Sequence, residues 1–445
     1  MALHEQYVAR FEALSGNGAA GDPAWLGELR RDGIARFAEV GFPHVRLEEW
    51  RFTNVTPIAQ TAFAPAPAPA AAGPVPADTG DEKVIGDSDR LVAVFVNGRF
   101  APERSALGGL PEGVVVTGLA QAIATHEALV RAHLGRYARV EANPFTALNT
   151  AFIQDGAFVH VPRGAVVDRP IQLVFLTTAE DRPVLAHVRN LIVAERGAQA
   201  SLIETYAGPS DAVYWTNAVT EMVIGEHANV DTYRVQRESE RAYHTATSQS
   251  YQQRDSVFSH IPFVFGSVLS RHDVNAVLDG QGAECTLNGL SVLRGRQHVD
   301  HHTTLEHAQP HCNSWEFFNG VYDQQSRGVF NGRIIVRRPA QRTDSKQTNN
   351  NLLLSPDARA DSQPQLEIYA DDVKCTHGAT LGPIAPKAMF YLQSRGLSPD
   401  EARQLLTYGF ASEILGYVTL EALRERLDQL VTRRLDGAAR ERSAT

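Results

Sequence analysis

A short phrase recurs in the middle of the chain and decides the predicted fold. It reads Gly197-Ala-Gln-Ala-Ser-Leu-Ile-Glu, then Gly225-Glu-His-Ala-Asn-Val-Asp-Thr, then Gly282-Ala-Glu-Cys-Thr-Leu-Asn. The leading glycines are 28 and 57 residues apart, close to one and two periods. A period of roughly 20–50 residues is typical of a solenoid. Because each period holds short apolar-alternating runs broken by turn residues, the sequence predicts a β-helix whose coils stack on one another.

The chain on either side of this region has a different character. Residues 62–77 contain eight Ala and five Pro, a composition typical of a polyproline-II spacer. Near the C-terminus, Ser398-Pro-Asp-Glu401 has the form of a helix-capping box, and an apolar stripe follows from Leu405 to Val431. We therefore predict a mainly β protein with five regions: an N-terminal helical region 1–60, an Ala/Pro linker 61–80, a mixed α/β connecting region 81–150, a parallel β-helix core 151–385 and a C-terminal helical region 386–445.

Composition and charge exclude several classes of function. The 445 residues carry 42 Lys+Arg against 51 Asp+Glu, a net charge of −9, which argues against a general nucleic-acid or anionic-membrane binder. None of the four lysines follows a glycine, so no Walker A phosphate loop is encoded. The sequence shows no signal peptide and no apolar run long enough to span a membrane. With three widely spaced cysteines, it predicts a cytoplasmic protein.

Histidines are concentrated in the run 298–311, which also contains an aspartate and a glutamate. A cysteine, Cys312, follows directly after the run. Imidazole, carboxylate and thiolate are the ligands that Zn²⁺ or Fe²⁺ takes. Strand geometry, however, divides the run between two faces and produces no familiar ligand spacing. A metal site is therefore one interpretation of these residues, and polar ladders or an interface are the favoured alternatives.

Cys375 and His377 form a second candidate site. The two residues are two apart, so on a strand their side chains point to the same face. A thiol and an imidazole on one face are typical of a transient metal site or an activated thiol, and a purely structural role is the alternative. The sequence has no GxSxG elbow and no HExxH motif, so hydrolytic machinery is not evident.

Several long stretches resemble the SufB/SufD family of the Suf iron–sulfur cluster assembly system. They are 341–355 (QRTDSKQTNNNLLLS), 364–382 (PQLEIYADDVKCTHGATLG), 390–396 (FYLQSRG), 298–315 (HVDHHTTLEHAQPHCNSW) and 48–53 (EEWRFT). B-type chains of the family carry a cysteine after a PxxE segment, whereas Ile368 takes that place here. The chain is therefore similar to the D-type members.

The resemblance implies a right-handed parallel β-helix flanked by helical regions. It further implies a non-enzymatic scaffold that pairs with a SufB-like subunit through the β-helix and with a SufC-like ATPase through the C-terminal helices. Cys375 and His377 match the D-type residues implicated in cluster assembly. No tightly bound cofactor is implied, only a transient iron–sulfur cluster held by the complex.

Other functions remain open at this point. A β-helix also suits a carbohydrate-active enzyme, and the 298–311 run suits a metalloenzyme. For the isolated chain a homodimer is an open alternative to the heterodimer. Co-purification with SufB-like and SufC-like chains separates the scaffold from both enzymes.

Overall fold

The computed structural model of the protein describes residues 4–16, 22–68, 90–179 and 182–443. In it the chain winds into successive coils, and each coil contributes one strand to each of two facing sheets. Each sheet has ten strands, which pair in parallel except for one antiparallel pair at the N-terminal end of each sheet. The strands are β1 Ala64–Pro65, β2 Leu91–Val96, β3 Arg99–Phe100, β4 Val115–Gly118, β5 Ala157–Val161, β6 Val166–Leu176, β7 Val184–Ala194, β8 Gln199–Ala207, β9 Tyr214–Ile224, β10 Asn229–Arg237, β11 Tyr243–Gln252, β12 Val257–Val264, β13 Leu269–Leu278, β14 Glu284–Leu293, β15 His298–His307, β16 Asn313–Tyr322, β17 Arg327–Val336, β18 Asp344–Leu353, β19 Arg359–Ile368 and β20 Lys374–Gly382.

The two sheets take alternate strands of the chain. The first runs β19-β17-β15-β13-β11-β9-β7-β5-β4, with β1 paired to β7, and the second runs β20-β18-β16-β14-β12-β10-β8-β6-β2-β3. Apolar side chains from both sheets fill the space between them in one cluster. The predicted parallel β-helix is therefore confirmed.

One corner of the β-helix explains the recurring phrase. The residues at this corner have a positive φ in successive coils and are 27 to 33 residues apart: Gly164, Gly197, His227, Asp255, Gly282, His311 and Arg342. Each donates its backbone N–H to a carbonyl of the next coil, as Gly197 does to Glu226 at 2.8 Å. The period read from the sequence was thus close to the observed coil length, but His227, and not Gly225, takes the place equivalent to Gly197.

Helices are found at both ends of the chain, as predicted. They are α1 Glu5–Gly16, α2 Ala24–Val40, α3 Thr56–Gln60, α4 Leu119–Thr125, α5 Glu127–His133, α6 Pro144–Ala151, α7 Pro386–Gln393, α8 Pro399–Leu415 and α9 Glu421–Ser443. The predicted capping box at the start of α8 is confirmed, since Ser398 and Glu401 each bond the other's backbone N–H. Most of the predicted Ala/Pro linker, residues 69–80, lies outside the described residues.

The helices cover the outer faces of the two sheets. Tyr7 of α1 and Phe145 of α6 pack edge-on against Trp215 on the outer face of the first sheet. Leu423, Leu427, Val431 and Leu435 of α9 lie at every fourth position and are buried against the outer face of the second sheet. The C-terminal apolar stripe is therefore largely used within the molecule, along the side of the β-helix.

Candidate functional site

Cys375 and His377 lie on β20, at the end of the second sheet. In the part of the chain that the structure describes, β19 and β20 each have a paired strand on one side only. The other edge of each strand presents backbone N–H and C=O groups without a strand to bond them. The last coil is therefore an open end of the β-helix, and the two predicted site residues belong to it.

Register places both residues on inward-facing columns that run through the coils. Cys375 is in register with Ser345, and His377 is in register with Gln347. Cys375 is half-buried and packs against the interior cluster, whereas His377 is exposed. No described residue hydrogen-bonds the imidazole of His377. The structure thus confirms the common face expected from strand geometry and leaves the imidazole accessible.

The environment of Cys375 favours its protonated thiol. Burial raises the pKa of this thiol above its ordinary value, and the nearby carboxylate of Asp344 raises it further. A thiol with a raised pKa is a poor nucleophile until a cation or a metal ion stabilises the thiolate. The Cys375 thiol is therefore protonated at neutral pH unless a cation or a metal ion lies beside it.

A buried carboxyl lies below His377 in the same column. Glu316 is in register with Gln347, which in turn is in register with His377. Gln347 donates its Nε2 to Glu316 Oε2 at 2.5 Å. Burial raises the pKa of Glu316 to about 7, and the bond from Gln347 opposes that rise. No motif marks Glu316 in the sequence. Its position, facing inward one coil below Gln347, becomes visible only once the register between strands is known.

The outward histidines of the 298–311 run hold the N-terminal segment against β15. Thr53 Oγ1 lies 2.9 Å from His298 Nε2 and donates to Asp300 at 2.5 Å. Asp300 also accepts from Arg271 Nη1 at 2.7 Å, and His302 Nε2 lies 3.1 Å from its other oxygen. The pKa of Asp300 is held well below its ordinary value because the Arg271 guanidinium and His302 outweigh the effect of burial. Two stretches of the family resemblance, 48–53 and 298–315, thus meet in one contact.

Inward histidines of the same run are part of the interior. His301 bonds Ser291 at 3.1 Å and His307 bonds Ser314 at 2.9 Å, and burial lowers the pKa of both histidines to about 4. They are therefore neutral at physiological pH. Within the described ranges, no group of three His, Cys, Asp or Glu side chains is arranged to hold a metal ion. The bonds that the run does make fit the interpretation as polar ladders and an internal interface.

Comparisons with known proteins cover nearly the whole chain. The family model described as the SUF system FeS cluster assembly SufBD core domain matches residues 175–410, and the SufBD protein N-terminal region matches residues 1–173. An iron–sulfur cluster assembly SufBD family protein of Synechocystis is 34% identical over 91% of this chain and 90% of its own length. The iron–sulfur cluster assembly protein SufD of Escherichia coli is 31% identical over 92% of each chain. SufD of Bacillus subtilis is 27% identical over 93% of this chain and 95% of its own.

Among the helices that the structure describes, none combines the length and the apolar character needed to cross a bilayer.

Proposed function

Since this chain belongs to the SufBD family of iron–sulfur cluster assembly proteins, we propose that it is the D-type scaffold subunit of a complex with a SufB-like chain and a SufC-like ATPase. In this role it carries no catalytic centre of its own. Iron and sulfide are its cargo, held transiently with the SufB-like chain, and no cofactor is bound permanently. The observation that carries the proposal is the open last coil, where Cys375 and His377 stand at an unpaired sheet end.

The open end suits a partner that has the same architecture. Two sheet edges of ten and nine residues, β19 and β20, can each pair with a strand of a second β-helix. Pairing there brings the inward column of Cys375 and His377 to the junction between the two chains. A soft thiolate and an imidazole are suited to an iron–sulfur species at such a junction. In the isolated chain, the same edges support the alternative of a homodimer.

The ATPase contact is proposed at the exposed side of α7 and α8. Four large apolar side chains of this region face solvent: Phe390 is 73% exposed, Tyr391 57%, Leu405 50% and Tyr417, just after α8, 48%. Large apolar side chains left exposed in this number are typical of a docking surface. Much of the apolar stripe from Leu405 to Val431 is buried on the second sheet, so the docking surface is the exposed remainder of the C-terminal region.

The role of the open end is tested in the co-expressed three-chain complex. His377→Ala is expected to lower iron and acid-labile sulfide per complex without dissociating it, since the imidazole is exposed and supports no internal bond. Cys375→Ala is expected to have a smaller effect. Thr376→Ala, on the opposite face of the same strand, is the matched control and should retain normal iron. Normal iron content in an intact His377→Ala complex would remove His377 from the mechanism.

The docking surface is tested by making the same change, leucine to glutamate, at a position within the surface and at a control position outside it. Leu405→Glu is expected to abolish binding of the SufC-like ATPase in a pull-down, because a carboxylate replaces an apolar contact at the interface. Leu14→Glu on α1, where the leucine is 46% exposed, is the control and should bind as the unsubstituted chain does. Deleting the whole segment 398–445 would be a less specific test, because it would also expose the apolar outer face of the second sheet that these helices cover. Equal binding by both variants would contradict the assigned surface.

A further inference from the structure

The side-chain amide of Gln347 lies inside the β-helix, one coil below His377. Gln347 is 1% exposed, and its Nε2 donates to Glu316 Oε2 at 2.5 Å. Its Oε1 is also out of reach of solvent, yet this oxygen has no hydrogen-bond partner among the described residues. Because buried polar atoms are normally hydrogen-bonded, an unpaired acceptor at this depth indicates a place for a donor.

Two contacts fix the direction in which this amide points. The bond to Glu316 Oε2 holds the nitrogen end of the side chain. On the opposite sheet Gly332 leaves room for the same nitrogen, since a Cβ at that position would lie 2.3 Å from Gln347 Nε2. The nitrogen end is thus held between the two sheets, and the oxygen end is the one left without a partner.

His377 is the next residue of the same inward column. It lies in register with Gln347 on the neighbouring parallel strand, and the backbones of such strands are roughly 4.8 Å apart. His377 is exposed at the open end of the β-helix. Its imidazole is therefore able to turn about its side-chain torsions, and a ring N–H that turns inward meets the open acceptor of Gln347.

A histidine that binds a metal ion through one ring nitrogen usually donates its other ring N–H to a carbonyl, a carboxylate or a water molecule. This second bond fixes the tautomer and the orientation of the ring. We propose that Gln347 is a positioning residue for His377: its Oε1 accepts one ring N–H, so that the unprotonated ring nitrogen faces the junction with the partner chain. This role rests on the proposed contact between His377 and iron.

Iron titration of the co-expressed three-chain complex tests this role. The measured quantity is the Fe²⁺ concentration that half-loads the complex during anaerobic reconstitution with sulfide. Gln347→Met removes the acceptor and keeps a side chain of similar length, so it should raise that concentration at least about tenfold. Gln347→Glu keeps an acceptor oxygen and should load at least as readily as the unsubstituted complex. Gln365→Met, on the outer face of β19, is the matched control and should load normally.

A double variant separates positioning from a structural role, with gel filtration as the assembly control. In the His377→Ala background, Gln347→Met should cause no further rise, because Gln347 acts only through the imidazole. A normal half-loading concentration in Gln347→Met, while His377→Ala raises it, would overturn the role of Gln347 and leave the proposed function standing. A normal value in His377→Ala would overturn both. A further rise in the double variant, or an equal rise in Gln347→Glu or Gln365→Met, would also overturn the role of Gln347.

Discussion

Replacing Glu316 with glutamine should change how the stability of this protein depends on pH. The carboxyl is buried between the two sheets, and its pKa in the folded state is raised to about 7 from an ordinary value of 4.5. As the pH rises between these two values, the unfolded chain ionises Glu316 while the folded chain still keeps it protonated. Stability therefore falls over this interval, and the loss is complete above about pH 7.

The size of the effect follows from the two pKa values. Each pKa unit corresponds to about 1.4 kcal/mol, so a difference of about 2.5 gives a total loss of about 3 kcal/mol. Between pH 5 and pH 8 the loss is about 2 to 3 kcal/mol, since a small part has already occurred at pH 5. Glu316→Gln keeps the shape and the contact with Gln347 but cannot ionise. It should match the unsubstituted protein at pH 5 and exceed its stability at pH 8.

Urea unfolding followed by tryptophan fluorescence at pH 5 and pH 8 measures this difference. Glu284→Gln, on the neighbouring strand β14 but facing outward, is the control and should keep the original pH dependence. The reasoning is refuted if Glu316→Gln retains the same fall in unfolding free energy between the two pH values. That result would mean that the folded chain already ionises Glu316 near pH 4.5.

Two further predictions concern the buried Arg271–Asp300 ion pair and the thiols. Arg271→Met leaves the buried Asp300 carboxylate without its cationic partner. The free energy of unfolding at pH 7, measured by urea titration, should fall by about 3–5 kcal/mol, and a fall below about 1 kcal/mol would contradict this pairing. Of the three free thiols, only Cys375 is partly exposed, so an aromatic disulfide reagent should label one thiol in the native protein, at a rate still rising above pH 9. Rapid labelling in Cys375→Ala would show that Cys285 or Cys312 is accessible.

Local patterns in the sequence were sufficient to predict the class of fold, a parallel β-helix. The spacing of the recurring phrase predicts a stacked coil, and strand parity alone separates the outward His298 and His302 from the inward His301 and His307. Parity also places Cys375 and His377 on one face. These properties depend on the period of two of a β-strand and on turn chemistry, which act within a few residues. They can therefore be read without knowing any distant contact.

Register between coils could not be read in the same way. Coil lengths vary from 27 to 33 residues, so a glycine in one coil does not identify its equivalent in the next, as Gly225 and His227 show. The column from Glu316 through Gln347 to His377 exists only once the strands are aligned. An average period does not give the register between strands, because the number of residues at each corner varies independently from coil to coil.

Contacts between distant segments were decided by the tertiary structure alone. Thr53 meets His298 across 245 positions, and α9 lies along the outer face of the second sheet. An amphipathic pattern shows that a helix has an apolar face, but many apolar surfaces satisfy the same pattern. Which surface is covered depends on the shape of the assembled sheets. The sequence therefore determined the β-helix and the candidate pair on its last strand, whereas packing of the finished coils decided which surfaces stay open.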